Sequence, residues 1–304
     1  MLYKNLFAWL FLLGVLSSCA LRNTSTGLTQ YQQAMLCYES KDYSEALRLF
    51  EEVMPLLRGK KEEASAYFHR AYCNFYRKRY VQSASLFKFF YKTFPESGHS
   101  EEALYMRGHS LYLESPDIKC DQVSTEEAAH VFRNYLKFYP GGAYVHEANI
   151  QLGKLDNKLA LKAFNNAKLY YKLAYHRAAV VTLETFQEDF SSSSYNEEAA
   201  YLKVDAQYCY CKEIRKTHKR VERRSVSDDN GVPQMHRQLN RLQGAQKKRI
   251  GTFGEGAETP EMTEKKQLNI AIRYCQEFMD SYPDSHYAFA VGKIYESLLS
   301  FDKP

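Results

Sequence analysis

Proline and glycine are scarce, eight and 14 in 304 residues, too few for a collagen-like chain or one dominated by linkers. No segment alternates apolar and polar residues over a sustained stretch, so no β-sheet is expected. The sequences that announce common chemistries are missing as well. The nine histidines contain no HExxH spacing, no serine sits in a GxSxG turn, and no glycine loop follows a strand-like segment. Gly251 to Gly256 looks superficially like a phosphate loop, but nothing strand-like precedes it, and a mobile linker is the better reading. Hydrophobic residues make up 45%, which excludes wholesale disorder and a polytopic membrane protein.

What is present begins with the first 18 residues. One lysine precedes an apolar run, Leu6–Leu16, and small residues follow, the layout of a secretory signal peptide. Eleven residues at about 1.5 Å each cover only about half of a ~30 Å hydrocarbon core. The run ends in Leu16-Ser17-Ser18-Cys19, which resembles the lipobox of bacterial lipoproteins. That resemblance implies a diacylglycerol on the Cys19 thiol, cleavage before it and acylation of the new amino group. Several acyl chains hold a protein on a membrane where one is marginal. Residues 19–30 are then an anchored tether. Ala20, where an aspartate could stand, favours the outer membrane by resemblance to known sorting rules.

The remainder repeats itself. Ala34, Tyr43, Ala46 and Phe50 return as Ala71, Tyr80, Ser83 and Phe87. A second register runs aromatic, Pro/Ser, any, small: Phe94-Pro95-Glu96-Ser97, Tyr139-Pro140-Gly141-Gly142, Phe190-Ser191-Ser192-Ser193 and Tyr282-Pro283-Asp284-Ser285. Each is followed by a ring, at His99, Tyr144, Tyr195 and Tyr287. Farther on come Ala103, Ala148, Ala199 and, less faithfully, Val291. Proline past a helix end stops the helix, and the acids Glu102, Glu147 and Glu198 suit the first turn of the next. Such features resemble the tetratricopeptide repeat, a pair of antiparallel helices that must stack on neighbours to bury a core.

The fold expected is all-α, a solenoid of about five such helix-turn-helix repeats over residues 31–304. The helix pairs are placed at 28–40 with 43–57, 61–77 with 80–93, and 99–113 with 124–138. The fourth pair is 144–172, continuous or broken near Asn165-Asn166, with 175–189. The fifth starts at 195–217 and resumes at 263–281, and a last helix runs from 285 to about 300. Phe50, Phe87, Phe132, Phe186 and Phe278 are assigned to the core. Residues 212–250 hold 12 Lys/Arg against four acids, so +8 of a net +5 is concentrated there. About 222–262 is read as an exposed, flexible basic insertion. Anionic lipid headgroups or an acidic partner surface suit it better than nucleic acid, because aromatic stacking residues are nearly absent.

Six cysteines remain beyond Cys19. Cys37, Cys73 and Cys275 are expected as small buried hydrophobes. Cys209-x-Cys211 with His218 makes a poor metal site, since positions i and i+2 of a helix point about 200° apart. Whether any of the six pair is left open by their spacing. The recurrent Glu62-Glu63, Glu101-Glu102 and Glu197-Glu198 are structural in expectation. No catalytic residue, metal or cofactor is assigned, and the chain is read as a non-enzyme.

The lipobox, the tether, the repeats and the form YPxSxYxxEA together look like the BamD family of outer-membrane β-barrel assembly lipoproteins. That form is seen in Tyr139-Pro140-Gly141-Gly142-Ala143-Tyr144-Val145-His146-Glu147-Ala148 and in Tyr282-Pro283-Asp284-Ser285-His286-Tyr287. The resemblance covers nearly all of 19–304; Ser191 in place of proline and the length of the insertion depart from it. It implies an outer-membrane, lipid-anchored scaffold facing the periplasm. The C-terminal repeats, about 195–304, would dock on the BamA-like barrel subunit alongside other assembly lipoproteins. The N-terminal repeats would contact unfolded outer-membrane precursors. A repeat adaptor lipoprotein that scaffolds peptidoglycan enzymes is the alternative; carbohydrate-capturing SusD-type lipoproteins are considerably longer.

Overall fold

A computed structural model describes residues 27–228 and 260–301, and all of the regular structure among them is helical. Cys19, the leader, most of the tether, the body of the basic insertion and Gly251–Gly256 lie outside the described residues. The helices are α1 (27–39), α2 (Tyr43–Val53), α3 (Glu63–Tyr76), α4 (Tyr80–Thr93), α5 (Ser100–Glu114) and α6 (Val123–Phe138). They continue with α7 (Val145–Lys172), α8 (His176–Asp189), α9 (Asn196–Asp228), α10 (Pro260–Ser281) and α11 (Ala288–Phe301). Successive helices pair as tetratricopeptide repeats, five pairs and a closing helix among the described residues.

The turns inside a pair share one device. Lys41, Lys78 and Ala174 all take positive φ, 65°, 59° and 57°. The next amide in each case bonds back five residues, Asp42 to Cys37, Arg79 to Asn74 and Tyr175 to Tyr170. This left-handed closure satisfies the last carbonyls of the first helix. Asp42 then caps α2 by accepting from the Glu45 amide at 3.1 Å.

The turns between pairs are the aromatic-Pro/Ser motifs, and they are built alike. The leading ring of each, Phe94, Tyr139, Phe190 or Tyr282, packs on the buried ring four residues before it. Centroid distances are 5.4, 5.6, 5.6 and 5.3 Å, to Phe90, Tyr135, Phe186 and Phe278. Ala103, Ala148, Ala199 and Val291 are all fully buried, so the less faithful fourth position does the same work. Phe50, Phe87, Phe132, Phe186 and Phe278 are core residues, as their spacing indicates. At Gly108, a Cβ would stand 2.8 Å from the Phe132 ring, so α5 and α6 approach as closely as they do only over glycine.

Two boundaries differ from the sequence reading, and one alternative it left open is decided. α7 is unbroken through Asn165-Asn166, because both asparagines face solvent while Ala160, Phe164 and Ala167 keep a continuous buried stripe. α9 runs to Asp228 and α10 starts at Pro260, so the margins of the expected 222–262 insertion are helical. Lys, Arg and Glu are good helix formers, and the first Gly and Pro in that stretch are Gly231 and Pro233. Within the segment expected as one helix at 43–57, Pro55 lies in a short 3-10 turn, Met54–Leu56.

Packing divides the chain into two units, residues 1–159 and 160–304. The first is built around Phe50 and Val53 at one end and Phe87, Phe132 and Tyr135 at the other. The second is built around Phe164, Leu183 and Phe186, and around Ala271, Phe278 and Leu298.

Candidate functional site

The ring that follows each Pro/Ser turn lies face-on against a ring of the preceding first helix. His99 stacks on Phe68 at 4.4 Å, Tyr144 on Tyr105 at 4.4 Å, Tyr195 on Phe164 at 5.3 Å and Tyr287 on Tyr201 at 4.3 Å. The paired glutamates reinforce the same junctions. Glu101 accepts from Tyr135 Oη at 2.8 Å and from the Ala143 amide at 2.7 Å. Glu197 accepts from Ser285 Oγ at 2.6 Å. Their neighbours reach the other way, Glu102 to the Tyr72 hydroxyl and Glu198 to the Lys168 ammonium. The pairs Glu101-Glu102 and Glu197-Glu198 therefore hold neighbouring repeats together.

In the first unit these junctions support a continuous aromatic face. Residues 65, 69, 72 and 76 form one stripe of α3, and 105, 109 and 112 one stripe of α5. Tyr38 of α1 meets His69 edge-on at 4.8 Å and Tyr76 at 6.3 Å. Tyr76 stacks on Tyr43 at 4.5 Å and on Tyr72 at 5.8 Å. Phe75 carries the contact to His109 at 5.5 Å, and His109 stacks between Tyr105 and Tyr112 at 5.8 and 6.2 Å. His109 Nδ1 donates to Gln151 Oε1 at 3.0 Å, and Gln151 donates to the Tyr105 hydroxyl at 3.0 Å.

Burial and the Glu102 carboxylate set the electrostatics of this face. Burial pushes the Tyr38 and Tyr72 hydroxyls well above the ordinary phenol range, and Glu102 raises Tyr72 further. Burial likewise holds His69 below the usual imidazole value, although its Nδ1 donates to the Ser65 carbonyl at 2.7 Å. The result is a lattice of ring faces and edges carrying neutral phenol hydroxyls. Tyr76 remains 45% exposed at its surface. Ring faces and neutral donors can hold an extended polypeptide without changing it chemically. His69 and His109 look scattered in the sequence; only the pairing of helices brings them to one face.

The second unit offers a different surface. Leu169, Leu173, Tyr175 and Val181 are exposed around the α7–α8 turn. Tyr175 and Val181 line a groove of about 610 Å³ together with Tyr170, His176, Tyr210 and Glu213. His176 Nε2 faces Glu213 at 3.4 Å, while its Nδ1 is buried without a hydrogen bond. Exposed apolar side chains in one patch mark an interaction surface.

Cys73 and Cys37 pack in one core cluster beneath Tyr38 and Tyr43 of the aromatic face, and Cys120 is exposed. Cys73, Cys211 and Cys275 are buried, and burial pushes their thiols up to about 12, 11 and 12. Cys37 and Cys209 are half-buried. Cys211 lies in the core near Gln207, and His218 turns instead to Glu264 at 2.8 Å. Among the described residues no three His, Cys, Asp or Glu gather as a metal site, and no helix is long and apolar enough to cross a membrane.

Residues 25–221 match the family described as YfiO, outer membrane lipoprotein. The chain is 22% identical over 210 residues to an outer membrane protein assembly factor BamD of Rickettsia prowazekii, covering 67% of this chain and 84% of that one. It is 22% identical over 135 residues to the protein of the same name in Caulobacter vibrioides, covering 44% of each. A solved TPR repeats protein from Bacteroides fragilis aligns over 90% of this chain and 98% of its own, with 9% identity and a TM-score of 0.39. So slight a likeness adds nothing to the repeat assignment, which rests on the helix pairs themselves.

Proposed function

The chain belongs to the YfiO family of outer membrane lipoproteins, and on that footing we propose that it is a non-enzymatic scaffold of outer-membrane protein assembly. Both relatives are named as assembly factors. Cys19 carries the acyl chains and holds the repeats at the outer membrane, facing the periplasm. The Tyr38–Tyr72–Tyr76–His109 face of the first unit receives unfolded outer-membrane precursors. The second unit docks on the barrel-forming subunit, a BamA-like protein, alongside other assembly lipoproteins, and the apolar groove at Tyr175 and Val181 is suited to such a partner.

The observation that carries this reading is the aromatic face, with Tyr76 exposed upon it. Precursors of β-barrels alternate apolar and polar residues, and an extended chain of that kind matches ring faces interleaved with hydroxyls. Anchoring raises the effective concentration of this face beside membrane partners. Reading the chain instead as an adaptor for peptidoglycan enzymes retains the fold and the anchor but leaves the family membership unused.

The test is affinity isolation of the tagged protein from its native membrane in mild detergent. Recovery of a barrel-forming assembly subunit, lost on deletion of residues 195–304, is the expected result. Recovery of peptidoglycan enzymes without that subunit would sink the assembly reading. Mass spectrometry of the same material should find the mature chain starting at an acylated Cys19; a chain without acyl groups removes the anchor.

A further inference from the structure

The charge that the sequence concentrates after residue 211 is organised by α9. Over Lys212 to Arg223 the exposed cations are Lys212, Lys216, Lys219, Arg220 and Arg223. At 3.6 residues per turn these five fall within an arc of about 100°, along about 17 Å of helix. The flank and far side of α9 are committed to packing. Cys211 lies in the core of the second unit, and the Arg215 guanidinium covers the Phe301 ring at 4.6 Å. Nearby acids are turned to other groups: Glu264 to His218 at 2.8 Å and Arg215 at 3.8 Å, and Glu213, at the margin of the arc, to His176 at 3.4 Å. The cationic arc therefore faces outward as a straight row.

We infer that this face of α9 binds the anionic headgroups of a phospholipid bilayer. Its composition separates a bilayer from an acidic protein. Three of the five cations are lysines, the residue type depleted from protein interfaces, and the arc holds no aromatic or aliphatic anchor to fill a partner's pocket. A flat, fluid layer of phosphates needs neither anchor nor fixed geometry. It attracts each nearby Lys or Arg by roughly the same amount, and long flexible stems let every ammonium reach it. A row three helical turns long presents Lys216, Lys219, Arg220 and Arg223 to such a plane at once, while Lys212 Nζ lies over the Tyr208 ring at 4.8 Å at its start.

The inference is independent of the acyl anchor and of the precursor-binding face. Its test uses the full chain with Cys19→Ala, so that no acyl group contributes, sedimented with two kinds of vesicle. One kind is phosphatidylcholine alone; the other contains one third phosphatidylglycerol. The leader, with its own Lys4, is common to the parent and both variants below, so the differences between them read the contact made by α9. Tighter binding to the anionic vesicles is expected, released by high salt. The variant Lys216→Gln, Lys219→Gln, Arg223→Gln should lose about 100-fold of that preference. The same number of charges removed elsewhere, at Lys92, Lys137 and Lys172, should lose far less. Glutamine keeps helix propensity, and unchanged circular dichroism checks the fold.

Equal binding to both vesicles overturns the inference, as does an equal loss from the two triple variants, which would reduce the effect to net charge. So does a variant that keeps its vesicle preference but no longer co-purifies with an envelope protein. That last result would reassign the face to an acidic protein surface.

Discussion

Tyr135, fully buried near the end of α6, donates its hydroxyl proton to Glu101 at 2.8 Å and accepts the Tyr144 amide at 3.0 Å. Glu101 takes the Ala143 amide as well, so one carboxylate and one phenol close the turn that starts the next repeat. Gly142 belongs to the same cluster: a Cβ there would fall 2.5 Å from the Tyr135 hydroxyl and collide with Glu101. Tyr135→Phe is expected to cost about 1–3 kcal/mol, since it strands both partners of a part-buried bond. A double-mutant cycle of Tyr135→Phe with Glu101→Gln, read by urea denaturation, should show coupling of about 0.5–3 kcal/mol. Additive costs would mean that the two groups act separately.

The stacked rings give a second prediction. Tyr287→Phe keeps the face-to-face contact with Tyr201 and should stay within about 0.5 kcal/mol of the parent. Tyr287→Leu keeps apolar bulk but loses the stack, at an expected cost of about 0.5–1.5 kcal/mol. Equal stability of the Phe and Leu variants in denaturant would show that the stack contributes nothing.

A third prediction concerns the left-handed residues. Ala174 holds φ 57° at the α7–α8 turn, a conformation that costs an L-residue roughly 1–2 kcal/mol. Glycine removes that strain and loses somewhat more backbone entropy, so Ala174→Gly should gain up to about 1 kcal/mol. The same sign is expected for Lys78→Gly. A lower melting temperature in both variants would contradict the assignment of strain.

The pH dependence follows from His69. Burial depresses its folded-state pKa below the unfolded value of about 6.5, so below that pH the unfolded chain binds more protons. The stability His69 contributes is present above about pH 6.5 and is lost as pH falls through its folded value. Melting temperatures measured downward from pH 7 should therefore fall more steeply for the parent than for His69→Gln. Parallel slopes would show that His69 is not the group responsible.

How much of this could be read from the residues depends on the range of the interaction. The helix pairs were legible because Pro95, Pro140 and Pro283 punctuate them and because Ala103, Ala148 and Ala199 recur in register. The rings at His99, Tyr144, Tyr195 and Tyr287 were legible as a repeat, but their partners were not. Phe68, Tyr105, Phe164 and Tyr201 lie at unequal distances in the chain, since the Ser115–Asp117 loop and the segment between α9 and α10 stretch two of the repeats. The aromatic face shared by Tyr38, Tyr76 and His109 was hidden for the same reason: each helix contributes a short stripe that gains meaning only beside its neighbours. The charge run after residue 211 misled in the other direction. Consecutive Lys and Arg suggest a solvated loop, yet these residues also favour helix, and packing of Cys211 and Arg215 against the second unit holds α9 in register.

The central claim is that the Tyr72–Tyr76–His109 face receives unfolded outer-membrane precursors, and site-specific photo-crosslinking in intact cells tests it most directly. A photoreactive residue at Tyr76, the exposed ring of the face, is predicted to capture newly exported β-barrel precursors. One at Val123, exposed on second helix α6, should capture far fewer. Equal capture at both positions, or capture of folded peptidoglycan enzymes from Tyr76 with no precursor among the products, would contradict the account.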